Sequence, residues 1–158
     1  MFILNKIKNI AKIKKIFFLS LLIIILCVLL DIFTKRLAFD KVDFIINKTA
    51  GIHNYIRITS FFNIVKVINY GVSFGFFSSL NYGQQILSII TILIVLFLFY
   101  LLWKTNKMYT SIIYSLIISG GIGNLYDRIT VGGVFDFLDF HIGSYHWPAF
   151  NLADTLVC

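Results

Sequence analysis

Residues 86–103, ILSIITILIVLFLFYLLW, contain no charged side chain. A run of this length and polarity reads as a helix that crosses a bilayer, because about 20 apolar residues span the hydrocarbon core and a helix satisfies its own backbone there. It ends in Trp103, a residue suited to the membrane–water interface, with Lys104 and Lys107 just beyond. Two more segments fit the same pattern. IFFLSLLIIILCVLL (16–30) is uncharged and leads to Asp31, Lys35 and Arg36, which gives a span over about residues 17–39. MYTSIIYSLIISGGIGNLY (108–126) opens a third span that reaches about residue 129. Its Ser115, Ser119, Gly120, Gly121 and Gly123 let another backbone approach closely.

Composition agrees with these three runs. Hydrophobic residues make up 59% of the chain and charged residues 13%, against roughly 45–50% and about 25% in soluble domains. The first apolar run is long for a signal peptide, and no small-residue cleavage site follows it. The net charge of +7 raises the question of nucleic acid. The basic residues instead flank apolar runs, Lys6, Lys8, Lys12, Lys14 and Lys15 above all, and there is no basic-aromatic platform. No nucleic-acid partner is expected. Cys27 and Cys158 suggest neither a disulfide framework nor a metal cluster.

Placing the basic lead and Lys104/Lys107 in the cytoplasm leaves residues 40–82, and everything after about residue 129, on the outer side. Within 40–82, YIRITSFFNIVKVINY (55–70) is rich in β-branched and aromatic residues. It reads as two short strands or one bent one. NYGVSFGFF (69–77) follows, with glycines for tight turns.

The chain has seven acids, all Asp, and four of them fall between Gly120 and Asp154: Asp127, Asp136, Asp139 and Asp154. With Asp31, the topology gathers Asp127, Asp136 and Asp154 at one membrane depth. Acids at the end of apolar segments are costly, so a functional site is the default reading. Asp31 and Lys35 share a helix face, as do Asn124 and Arg128. Two carboxylates held close in a partly dry place share a proton, which suits one as base toward water and the other as acid toward a carbonyl. Such a pair needs neither a metal nor a protein nucleophile. No Ser–His–acid pattern, Ser–Lys pair or H-E-x-x-H stands beside it.

Taken one at a time, these residues have plainer explanations. Asp31–Lys35 reads as a structural ion pair. Asp127 and Arg128, adjacent on a helix, each pair elsewhere. Asp139 reads as a solvated loop acid, and Asp154 as a first-turn acid of a helix. Asn69 and Asn151 suit turn caps. His53, His141 and His146 read as interfacial or hydrogen-bonding residues. A small proton or ion carrier with a path of Asp residues is the rival to an enzyme, although 86–103 carries no acid. A structural lipid-binding module explains the aromatics and the basic lead only.

The blocks DIFTK (31–35), NYGVSFG (69–75), GNLYDRI (123–129), VFDF (134–137) and FNLADT (150–155) resemble, in order and spacing, those of the bacterial lipoprotein signal peptidases, or signal peptidase II. The resemblance covers the chain from Asp31 onward. It implies an all-α integral membrane protein of four-helix type with a small extracytoplasmic β-cradle, forming one membrane-embedded domain over 1–158. It implies an aspartic endopeptidase of the bacterial inner membrane, N-terminus cytoplasmic and active site at the outer face. Such enzymes remove the signal peptide of a prolipoprotein just before a diacylglyceryl-modified Cys. Asp136 and Asp154 correspond to the catalytic pair. Asp31, Lys35, Asn69, Asn124, Asp127, Arg128 and Asn151 correspond to supporting or substrate-binding residues. No cofactor is implied. Membrane lipids are expected around the protein, and globomycin-type compounds as inhibitors. The family's fourth span starts near residue 150, whereas only Thr155 to Cys158 follow Asp154 here. The last helix is therefore expected to be truncated, by nature or as a piece of a longer protein.

Overall fold

A computed structural model describes residues 2–48, 55–71 and 82–158, with the backbone alone for residues 2–12. The elements are α1 (Phe2–Lys48), β1 (Tyr55–Arg57), β2 (Phe62–Asn69), α2 (Gly83–Lys104), α3 (Met108–Val131), β3 (Val134–Ile142), β4 (Tyr145–His146) and α4 (Leu152–Val157). Helices α1, α2 and α3 are each long and apolar enough to cross a membrane. Residues 72–77 of the glycine-bearing segment, and His53, lie outside the described residues.

Helix α1 contains no Gly or Pro and runs on to Lys48, past the boundary near 39 expected for its span. Charges at Asp40, Lys41 and Asp43 mark where it leaves lipid. They do not end it, because none of them breaks a helix. Residues 40–48, counted with the outer segment after the first span, are therefore helical, and strands begin at Tyr55, within the 55–70 stretch that reads as β.

The three long helices pack around Ile24, Val95, Leu102 and Ile118. At one end of the bundle the Phe17 ring meets Trp103 edge-on, centroids 5.0 Å apart. On α3, Ser111, Ser115 and Ser119 are buried, and each hydroxyl donates to the carbonyl four residues earlier (3.0, 2.7 and 2.5 Å). That leaves no polar hydrogen of this stripe aimed at lipid. The small residues admit neighbours as expected. A Cβ on Gly120 would collide with the Ala153 carbonyl oxygen, and one on Gly123 with the carboxylate of Asp31. The outer faces of α1 and α2 expose large apolar residues such as Phe18, Leu29, Leu93 and Phe97. Exposure of this kind suits lipid and not water.

Helix α3 ends at Gly132, whose φ of 79° places it in the left-handed region, where a Cβ is penalised. The chain then enters an antiparallel sheet of order β1-β2-β3-β4. Between β2 and β3 the register runs Asn63↔Asp139 and Ile64↔Leu138, then resumes at Val67↔Asp136 after an irregularity. This bulge has a consequence for the site. Side chains alternate along a strand, so Asn63 and Asn69 would share a face without it. The extra residue puts Asn63 with Asp139 on one face and Asn69 with Asp136 on the other.

Helix α1 crosses the first of these faces. Phe39 packs on Phe135 of β3, Asp43 binds Lys66 of β2 at 2.6 Å, and Phe44 and Ile45 border a groove with Ile56 of β1. The strands are therefore stacked one above another along the axis of α1.

Candidate active site

Lys35 is 1% exposed, and its ammonium lies 2.8 Å from Asp31 Oδ2, 2.8 Å from Asp127 Oδ2 and 3.1 Å from Asn124 Oδ1. A buried ammonium needs partners for its charge and its protons, and here two carboxylate oxygens and one amide oxygen lie within reach. The Asp31 contact is an ion pair by distance without good hydrogen-bond alignment. The second oxygen of Asp31 accepts from the backbone N–H of Ala153 at 2.8 Å. Asp127 Oδ2 also accepts from Phe135 N at 3.2 Å. The ion-pair cluster thus ties α1 to α3, and both to the starts of α4 and β3.

Asn124 and Asn151 carry the next layer. Asn124 donates through Nδ2 to Asp154 Oδ1 at 2.8 Å. Its Oδ1 accepts from Lys35 and, at 3.2 Å, from Asn151 Nδ2. Asn151 also donates to Asp136 Oδ1 at 2.7 Å. It is the N-cap of α4: its Oδ1 accepts from Asp154 N at 2.9 Å, while Asp154 Oδ2 accepts from Asn151 N at 3.2 Å. This reciprocal arrangement fixes the Asp154 side chain as well as the helix start. Asn69 donates to Asp136 Oδ2 at 3.1 Å, and its Oδ1 accepts from Gly71 N.

Asp136 is 2% exposed and accepts on both oxygens. Burial, and then the charge of Asp154, push its pKa up to about 7, against the pull of the Asn69 and Asn151 hydrogen bonds and Lys35. Near neutral pH the carboxyl is therefore split between acid and carboxylate. Arg128 stands beside the pair. Its Nη1 donates to Asn124 O at 3.4 Å, while its buried Nε has no partner among the described residues. Asp154, Asp127 and Asp136 are the charges that act on it.

All nine residues singled out from the sequence thus belong to one connected cluster, and Asp31–Lys35 is the ion pair expected of it. Sequence reasoning missed the backbone donors Ala153 N and Phe135 N, which no side-chain pattern marks. One expectation is corrected. Asp139 is not a solvated loop acid but a strand residue, 5% exposed, held by Asn63 at 2.9 Å and His146 at 2.8 Å. It faces away from Asp136, and a cavity of about 670 Å³ lined by Arg57, Asn63, Asp139 and Trp147 lies on that opposite face, not at the carboxylate pair.

Comparison with known proteins bears on this cluster. The family model described as signal peptidase (SPase) II, Peptidase_A8, matches residues 23–158. A lipoprotein signal peptidase of Anaplasma phagocytophilum (strain HZ) is 42% identical over 113 residues, 71% of this chain and 72% of that protein. One of Vibrio campbellii (strain ATCC BAA-1116) is 39% identical over 137 residues, 85% of this chain and 78% of its own length. One of Francisella tularensis subsp. novicida (strain U112) is 38% identical over 148 residues, covering 90% and 84%. A solved structure described as a bacterial membrane enzyme, determined by the in meso method at 1.9 Å resolution, superposes with a TM-score of 0.68 at 32% identity. The match covers 87% of this chain and 84% of that one.

Proposed function

The chain belongs to the signal peptidase II family of membrane aspartic peptidases, and from that premise we propose that Asp136 and Asp154 are its catalytic pair, acting on prolipoproteins. The observation that carries this reading is the hydrogen-bonded path Asp136–Asn151–Asn124–Asp154, which holds both carboxylates by named donors. Asp136, raised to about 7, supplies the acid. Asp154, the other member of the pair, takes a proton from a water. That water's oxygen attacks the scissile carbonyl carbon while Asp136 donates its proton to the carbonyl oxygen. When the tetrahedral intermediate collapses, the C–N bond breaks, Asp154 gives its proton to the leaving amine, and Asp136 recovers its own. Water is consumed and both carboxyl groups return to their starting states. Asn69, Asn124 and Asn151 orient the pair. Arg128, with a buried N–H to spare, suits a substrate carbonyl. Asp31, Lys35 and Asp127 fix the helices that carry these residues.

The bond cleaved is the one before a diacylglyceryl-modified Cys, and globomycin-type compounds occupy the same place. The N-terminus is cytoplasmic and the pair lies at the outer face of the inner membrane, a reading supported by Lys14, Lys15, Lys104 and Lys107 beside one end of the apolar helices. Helix α4, seated on Gly120 through Ala153 and Val157, is read as the start of a fourth span. A carrier would need acids through the membrane depth, and α2 has none.

Substrate choice tests this directly. A prolipoprotein bearing the diacylglyceryl group is cut before its Cys, and the cut is blocked by globomycin. Equal cleavage of the unmodified precursor would remove the lipid-bearing Cys from the account.

A further inference from the structure

We propose that the β3–β4 hairpin is a membrane-interface anchor, with Ile142, Tyr145 and Trp147 seated among lipid headgroups and upper acyl chains beside the helix bundle. The starting point is the direction in which the strands are stacked. From Phe17, which meets Trp103 at one end of the bundle, α1 rises about 33 Å to Phe39 at 1.5 Å per residue. The hydrocarbon core is ~30 Å thick, so Phe39 stands at the far boundary. There its ring packs on Phe135 of β3, centroids 4.3 Å apart. One turn farther along α1, Asp43 holds Lys66 of β2, and Ile56 of β1 follows beside Phe44 and Ile45. Strands β2 and β1 therefore step away from the membrane. In the order β1-β2-β3-β4 the remaining strand, β4, steps toward it by about 4.8 Å, one strand spacing.

Chemistry follows the same axis. On the side away from the membrane lie Asp40, Lys41, Asp43, Lys48, Arg57 and Lys66. On the membrane side, residues 140–153 contain no Asp, Glu, Lys or Arg. Ile142, Tyr145 and Trp147 are 84%, 72% and 58% exposed. Three large side chains left open around one hairpin turn gain nothing from water. Trp and Tyr are the residues that favour the interface, having an apolar ring and one polar hydrogen. Cross-strand pairing at His141↔His146 and Ile142↔Tyr145, with the histidine rings stacked at 4.8 Å, keeps the hairpin rigid enough to present them together. The inference needs only the spanning of α1 and is independent of the peptidase reading.

Depth of Trp147 is the test. Residues 1–158 hold two tryptophans, so Trp103→Phe in this chain leaves Trp147 as its reporter. The protein is reconstituted in phosphatidylcholine–phosphatidylglycerol vesicles whose acyl chains are brominated near the headgroup or near the chain end. Shallow bromines are expected to remove most of the emission, chain-end bromines less, and aqueous acrylamide little, at any protein-to-lipid ratio. Strong acrylamide quenching with no effect of bromine would overturn the proposal. So would protection that disappears on dilution in lipid, which would mean a second copy covers the tip. Adding Ile142→Asp is expected to move Trp147 toward acrylamide in protein that still resists proteolysis; unchanged bromine quenching in that variant counts against insertion.

Discussion

Asn151 donates to the side-chain oxygen of Asn124 at 3.2 Å, and that bond joins the amide that holds Asp136 to the amide that holds Asp154. Each asparagine also donates to one of the carboxylates, at 2.7 and 2.8 Å. The pair is therefore positioned by neutral amides. Amides can hold either protonation state in place without adding a charge that would force one of them.

Asn151→Ala is expected to lower kcat by roughly 100-fold, since it takes a donor from Asp136 and cuts the link between that carboxylate and Asn124, the residue that holds Asp154. It also removes the N-cap of α4, at a cost of about 1 kcal/mol. A purely structural role would show as lost stability with kcat per folded molecule unchanged. Steady-state kinetics with a lipidated precursor, beside thermal unfolding in detergent, separates the two.

Lys35→Met leaves Asp31 and Asp127 buried without their counter-charge. Breaking a buried pair from one side costs about 3–5 kcal/mol, so the midpoint of thermal unfolding should fall sharply. Adding Asp31→Asn to Lys35→Met should recover part of the loss. No recovery would mean that Lys35 acts mainly through Asn124 or through packing.

The raised pKa of Asp136 gives two pH signatures. Its folded value of about 7 exceeds the ordinary 3.8, so between those values the folded state holds a proton that the unfolded chain has released. Stability from this group is then greatest below about pH 4 and declines as pH rises through 7. Activity that uses the Asp136 proton falls over the same upper range. Asp136→Asn should abolish this slope in unfolding free energy against pH. An unaltered slope would place the titration elsewhere.

Much of this arrangement can be read in the residues themselves. The uncharged run of α2 and the small residues of α3 follow from what lipid and close packing require. The acids stood out because charges in an apolar chain need a reason to be there, whereas the full set of nine followed only from the resemblance of the motif blocks. The facing of Asn69 depended on a one-residue bulge in β2, which no local pattern specifies. Asp139 was misread because its partners Asn63 and His146 come from other strands and become visible only with the register in hand. The extension of α1 to Lys48 did have a signal, the lack of any breaker, but the change in polarity at Asp40 masked it.

Cleavage of a diacylglyceryl-bearing precursor by Asp136→Asn and by Asp154→Asn, each purified in detergent and shown to be folded, addresses the central claim. Both variants should bind the precursor and leave it uncut, while the unaltered protein keeps its rate in EDTA. Full turnover by either variant would contradict a mechanism built on this pair of carboxylates.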